Sequence, residues 1–320
     1  MTVTKHRARP ATGRIACRLV LASIAVTAMA ATARAQDYDV LRGRCASAAA
    51  AEAIRACSEI IALNVEGEAS LAAAHFNRGV AYAKERRFDP ALLDFDEAVR
   101  LAPSVARFWN GRAGIWIAQG KYDLALADLD RALRLDPTLA KAFHNRGNAL
   151  WMKGQLDAAL QAFDRALELD PQDVDGLASR GQIHVDKGEP ERGEHDFREV
   201  LRLRPDDAAA YIGLAYVDLL QKRYDQALAN YNWAAHLDPK SIQALQGRGL
   251  AEFKLGHYES AVAAFAQALA LDPAYAPALY ARGVARVRTG DKAGGEGDIE
   301  AATRHDAKIA ATMAGIGISP

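Results

Sequence analysis

The sequence predicts an all-α protein, a solenoid of antiparallel helix pairs, on the strength of three observations. First, Pro103, Pro137, Pro171, Pro205, Pro239 and Pro273 stand 34 residues apart, with Ala307 where a seventh would fall. A fixed period of this size marks a repeat architecture, in which each copy buries its apolar face only by stacking on its neighbours. Second, numbering each copy 1–34 from Ala72, Ala106, Ala140, Val174, Ala208, Ile242 and Ala276 aligns two columns of small residues. Position 8 is Gly79, Ala113, Gly147, Gly181, Ala215, Gly249 and Gly283, and position 20 is Ala91, Ala125, Ala159, Gly193, Ala227, Ala261 and Gly295. Third, positions 4, 8 and 11 fall on one helical face and positions 20, 24, 27 and 28 on another, a helical rather than a strand period.

Each element has a local cause. The small residues at 8 and 20 let two helices approach closely. The residue at 24 (Phe95, Leu129, Phe163, Phe197, Tyr231, Phe265, Ile299) fills the space beside them. Position 15 is Gly120, Gly154, Gly188, Gly256 and Gly290, where the left-handed residue that ends a helix is wanted. The proline at 32 cannot continue a helix and pushes the residue before it out of the helical region. Each copy therefore reads as helix A, tight turn, helix B, turn. In repeats 4 and 7, Pro190 with Gly193 and Lys292 with Gly294 and Gly295 are expected to loosen the start of helix B, since Gly costs about 1 kcal/mol relative to Ala inside a helix. After the seventh copy, Asp306 to Ala314 is expected to form one short capping helix, so that 306–320 is a cap and a loose tail from Gly315 onward.

The flanks carry a different signal. Residues 1–18 are basic, Leu19 to Ala31 is apolar, and Ala33-Arg34-Ala35 has the small-x-small pattern of a signal peptidase site. That order predicts a secretory signal peptide over 1–35, cleaved before Gln36, with an uncleaved anchor as the alternative. The apolar run is shorter than the roughly 20 residues that cross a bilayer, so no stable membrane span is expected after cleavage. Residues 1–35 hold six of the 40 Lys/Arg and none of the 40 Asp/Glu, so the remainder is net acidic by six charges. A mildly acidic chain without a long basic run argues against nucleic acid as a partner.

Cys45 and Cys57 are the only cysteines beyond the leader. An oxidising compartment favours pairing them. Residues 36–71 thus read as a degenerate first helical pair stapled by a disulfide, worth about 3 kcal/mol in the chain-entropy model. Two buried free thiols are the alternative. Ala53-Ile54, Cys57, Ile60-Ile61 and Leu63 match Ala91-Leu92, Phe95, Ala98-Val99 and Leu101, which puts Cys57 in the buried aromatic column.

Position 7 is Arg78, Arg112, Arg146, Arg180, Arg248 and Arg282, and Leu214 in repeat 5. Positions 23 and 25 are usually acidic (Asp94 and Asp96, Asp128 and Asp130, Asp164, Asp196, Asp298 and Glu300), but Asn230 and Asn232 in repeat 5. Arginine and acids disappear together, so the arginines read as structural partners of helix B carboxylates. An arginine ladder for acidic ligands is the functional alternative. Arg248 retains no acid at 23 or 25 of its own copy, which has Ala264 and Ala266, so its partner is expected from a neighbouring copy. No histidine pair has metal spacing, and no phosphate loop or nucleophile motif occurs. The expectation is no catalytic residue, no metal and no cofactor.

The columns resemble the tetratricopeptide repeat family: Trp109, Phe143, Leu177 and Tyr211 at 4, Gly or Ala at 8, Ala at 20, an aromatic at 24, Ala at 27 and Pro at 32, over 238 residues from 72 to 309. The resemblance implies a right-handed superhelix that binds a peptide or helix of a protein partner along a concave groove. By the same resemblance the groove is lined by positions 2, 5, 9, 12 and 13 of helix A. In repeats 3–6 these include Lys141, His144, Asn148, Trp151, Met152, Gln182, Val185, Tyr216, Leu219, Leu220, Phe253 and Lys254. Positions 12 and 13 could instead pack on adjacent helices. A carboxylate clamp of the chaperone-tail kind is not carried over, because His144 stands where that pattern wants Lys. The exported, cysteine-headed form looks like periplasmic members from Gram-negative bacteria. The expectation is a non-catalytic periplasmic scaffold. Alternatives are an envelope protein that self-associates into a homo-oligomer and, more weakly, an envelope hydrolase or its accessory subunit.

Overall fold

The turn between helices A and B recurs at one dihedral. Position 15 is left-handed in all seven repeats: the five glycines, and also Arg86 at φ 57° and Lys222 at φ 60°. After it, the amide at position 16 donates back to the carbonyl at position 11, as in Arg87 to Tyr82 (2.9 Å) and Arg223 to Asp218 (2.8 Å). This six-to-one bond satisfies a carbonyl that the helix end would otherwise leave open.

The structure, a computed structural model, describes residues 37–64 and 67–319. The expected leader at 1–35 lies outside the described residues. Everything regular in them is helix. A helix at 37–47 (α1) is followed by α2 (Ala50–Leu63). The A helices of the seven repeats are α3 (Glu68–Lys84), α5 (Ala106–Ala118), α7 (Ala140–Met152), α9 (Val174–Asp186), α11 (Ala208–Leu220), α13 (Ile242–Leu255) and α15 (Ala276–Thr289). The B helices are α4 (Phe88–Leu101), α6 (Tyr122–Leu135), α8 (Leu156–Leu169), α10 (Pro190–Leu203), α12 (Tyr224–Leu237), α14 (Tyr258–Leu271) and α16 (Lys292–His305). A last helix, α17 (Ile309–Gly315), falls within the expected cap.

The chain forms two compact units, one ending at Pro137 and one beginning at Thr138. In the first unit a Cys45–Cys57 disulfide joins α1 to α2. Cys57 is fully buried, in a cluster with Ala56, Ile60 and Ala74, as its match to the aromatic column predicts. Repeats 1 and 2 follow as α3 to α6.

The second unit holds repeats 3–7. Within it the Phe197 ring, at position 24, is gripped from two sides. Phe197 lies against Gly181, position 8 of its own repeat, and against Gly213, position 6 of the next: a Cβ on either glycine would come within 3.2 Å or 2.6 Å of the ring. Gly247 is tighter still, since its Cβ would stand 2.2 Å from the Tyr231 ring. Small side chains there are what allow a large apolar ring to be fully buried, the favourable term that holds the stack together.

Gly193 and Gly295 do not loosen their helices. α10 and α16 are as long as the other B helices. A Cβ at Gly193 would strike Val185 at 2.5 Å and the Gly181 carbonyl at 2.8 Å, and one at Gly295 would strike the Gly283 carbonyl at 2.6 Å. Both repeats pair glycine at 8 with glycine at 20, so the two backbones come closer than an alanine would permit. The tail is not loose either: Ile318 is fully buried with Ile309 and Met313 in the cluster that holds Leu279, Tyr280 and Val284. Between repeats, the carboxylate at position 31 closes the turn by accepting from the amide at 33, as Asp170 does from Gln172 and Asp238 from Lys240. Asp173, Asp207 and Ser241 then cap the next A helix.

Candidate functional site: the helix A face of repeats 3–6

Most charged columns resolve into structure. Arg78, Arg112, Arg180 and Arg282 each fork onto the aspartate at position 23 of their own repeat, at 2.7–2.9 Å through two nitrogens. Arg112 also reaches Asp96, and Arg180 reaches Asp164, position 25 of the preceding repeat. Burial alone would raise the Asp94 carboxyl, but hydrogen bonds from Arg78 and His75 outweigh it and hold it below the usual carboxylate range. Asp94, Asp128 and Asp196 are almost wholly buried. A buried carboxylate demands such a partner, so these arginines are occupied.

Three copies depart from this scheme. Repeat 3 has Ala162 at position 23 and keeps its acid, Asp164, at position 25. In repeat 5, where Leu214 replaces the arginine, the charge has moved rather than vanished. Asp218 is buried, accepts from Asn230 and Arg223, and Arg223 also reaches Glu194 of repeat 4. Arg248 does not borrow an acid from a neighbouring copy. It donates to Gln267 of its own helix B at 2.7 Å, because a neutral amide at position 26 is within reach once Ala264 and Ala266 have replaced the acids.

The expected groove residues divide. Met152, Tyr216 and Leu220 are exposed, at 60%, 44% and 49%. Lys141 is exposed too, while Asn148, Trp151, Gln182 and Leu219 are half-buried. Leu219 packs against the cluster of Ala215 and Tyr231. Two residues do not line an open face. His144 is buried, edge-on to Phe163, with Nδ1 at 2.5 Å from Asp173. It ties α7 to the residue that caps α9, and burial of Asp173 is outweighed by this bond, so its carboxyl is lowered. Phe253 is buried and meets Tyr258 edge-on. Val185, in the same column, is buried as well. Position 12 therefore turns toward the neighbouring helices in repeats 4 and 6, while Met152 and Leu220 at position 13 and Tyr216 at position 9 are the exposed apolar residues, and Asp186 at position 13 of repeat 4 is exposed beside them in the same column.

Sequence reasoning passed over two features. Lys254, at position 13 of repeat 6, donates to the main-chain carbonyls of Ile316 and Gly317 at 2.5 and 3.3 Å. Neither residue belongs to the repeat, so no column could signal the contact. A cleft of about 590 Å³ in the first unit is lined from α1, α2 and α3 by Arg42, Cys45, Ile60, Ala74 and Asn77. Among the described residues no group of three or more His, Cys, Asp or Glu could hold a metal ion, and no helix is long and apolar enough to cross a membrane.

Helix pairs in register every 34 residues, with a face of exposed side chains on helix A, define a helical-repeat scaffold. Models described as tetratricopeptide repeat or TPR repeat match residues 72–105, 115–154, 140–173, 179–242 and 249–290, together more than half of the chain. The chain belongs to the tetratricopeptide repeat family. Among curated proteins none matches the sequence. Similar solved structures include YrrB, described as a TPR protein with an unusual peptide-binding site (22% identity, 59% of this chain and 97% of that one, TM-score 0.51). Pseudomonas aeruginosa pilF is 19% identical over 65% of this chain and 95% of its own, with a TM-score of 0.59. A tetratricopeptide repeat protein of Parabacteroides merdae is 19% identical over 73% and 93%, with a TM-score of 0.57. At these identities the likeness is one of fold.

Proposed function

We propose that this chain is a non-catalytic scaffold that binds a peptide or helix of a protein partner on the helix A face of repeats 3–6. The observation that carries this is the exposed strip of Met152, Tyr216 and Leu220, edged by Lys141, Asn148 and Gln182. Large apolar side chains gathered on one face of a well-packed stack mark an interaction surface, and aromatic anchors dominate such interfaces. That YrrB is described as having a peptide-binding site is in keeping with this reading.

The reading places the scaffold in the periplasm, exported by the leader over 1–35. The Cys45–Cys57 disulfide supports an oxidising compartment. N-terminal sequencing of the mature protein should begin at Gln36. Tyr216→Ser with Leu220→Ser should weaken a partner captured from periplasmic extract by tenfold or more, at 1 kcal/mol or above for each anchor. Leu93→Ser, a still more exposed apolar site on helix B of repeat 1, should leave capture unchanged. Equal loss in both variants, or loss in neither, overturns the assignment. Light scattering in the same samples separates a foreign partner from a second copy of the chain.

A further inference from the structure

The helix A face does not stay open to the end of the second unit. Positions 5 and 9, half-buried and exposed as Ile212 and Tyr216 in repeat 5, are Tyr280 and Val284 in repeat 7 and are buried at 3% and 0%. They share an apolar cluster with Met313 and Ile318. Beyond α17, Gly317 turns the chain at φ +73°, and the amide of Ile318 donates to the carbonyl of Met313 at 2.9 Å. This closes α17 and leaves three carbonyls facing cations. Lys254 takes those of Ile316 and Gly317, and Arg288 approaches that of Ser319 at 3.4 Å. Lys254 and Arg288 hold the same column, position 13 of repeats 6 and 7, where repeats 3 and 5 present Met152 and Leu220. Gly317 is demanded by its left-handed dihedral; a Cβ there would stand 2.7 Å from the Lys254 ammonium and push that flexible end aside.

We propose that the C-terminal segment 316–319 is a ligand bound in cis on the helix A face of repeats 6 and 7, held by Ile318 as an aliphatic anchor and by Lys254 and Arg288 on its main-chain carbonyls. The site so defined takes a segment that turns at glycine, offers consecutive carbonyls to two cations and inserts one branched aliphatic side chain. While the chain's own segment sits there, the open strip ends at repeat 6. The proposal deepens the binding reading of the same face. Its test uses no foreign partner, so either can fail without the other.

A tethered segment competes at an effective concentration on the order of millimolar, so a free copy of it should bind only when the tethered one is expelled. The probe is a fluorescein-labelled peptide of residues 308–320, titrated by anisotropy against the full chain. Ile318→Asp should bind it at least tenfold more tightly than the wild type, and Lys254→Met added to Ile318→Asp should remove most of that gain. Should Ile318→Asp lose its helical circular dichroism, Gly317→Leu expels the segment without placing a charge near the core, and the same tenfold gain is expected. Peptide binding to the expelled variants that is absent, or no tighter than to the wild type, overturns the proposal and leaves the segment a structural cap.

Discussion

Lys222→Gly should stabilise the protein, and Gly188→Lys should destabilise it by a similar amount. Both residues end an A helix at position 15, with φ at +60° and +77°. A side chain in the left-handed region costs about 1–2 kcal/mol, because Cβ crowds the following carbonyl. Glycine avoids that cost but loses about 0.5–1 kcal/mol more backbone entropy on folding. The difference favours glycine by about 0.5–1 kcal/mol. Lys222 is exposed, and a Cβ at Gly188 meets nothing within 4 Å, so packing should not mask the effect in either direction. Urea denaturation followed by circular dichroism is the assay. With a slope of about 3 kcal/mol/M, the midpoint should rise by about 0.2–0.3 M for Lys222→Gly and fall by about that for Gly188→Lys. A midpoint that falls for Lys222→Gly, or stays put for Gly188→Lys, refutes the idea that the dihedral selects the residue here.

Three further predictions follow from the packing and the charges. Arg180→Met strands the buried Asp196 and should cost about 3 kcal/mol, whereas Arg180→Met with Asp196→Leu should recover most of it, because an uncompensated buried charge is worse than an apolar pair; denaturation of both variants compares them. Gly247→Ala overpacks the Tyr231 ring and should cost about 1–3 kcal/mol, while Gly114→Ala, whose Cβ meets open space in the middle of α5, should gain about 0.5–1 kcal/mol; thermal melts read both. Asp173 has a lowered carboxyl in the folded chain, so the unfolded chain takes up its proton first as pH falls. Its contribution is therefore present above the unfolded value of about 3.9 and lost as pH drops through the lower folded value. Asp173→Asn, which still caps α9, should flatten that acid limb in urea midpoints taken from pH 6 to pH 2.5.

The architecture was legible because its causes are local and written seven times. Proline at 32 and glycine at 15 act within one or two turns, small residues at 8 and 20 act between the two helices of one copy, and the shared period makes chance agreement negligible. The arginine column was legible in part for the same reason, since repeat 5 loses the arginine at 7 and the acids at 23 and 25 together, but Arg248 keeps its place beside Ala264. What escaped is what the period cannot carry. Whether position 12 or 13 faces outward depends on which neighbouring helix covers it, so Phe253 and Met152 looked equivalent. His144 is explained by Asp173, 29 residues away, and Lys254 by a carbonyl 62 residues away. Gly193 and Gly295 were misjudged because propensity scores a glycine by what it costs its own helix. Here each glycine admits a partner backbone, and tertiary contact outweighs that cost.

The grip on each ring has a consequence for how such chains can be recombined. Phe197 needs Gly181 at position 8 of its own copy and Gly213 at position 6 of the next, and Tyr231 needs Gly247 in the same way. A cut at the proline, where the period is most visible, separates Phe197 from Gly213 and Tyr231 from Gly247. The segment that keeps ring and walls together begins at position 8 of one copy and ends at position 7 of the following one. Copies transplanted in that frame carry their own mould with them, whereas copies exchanged at the visible boundary inherit a mould cast for another ring.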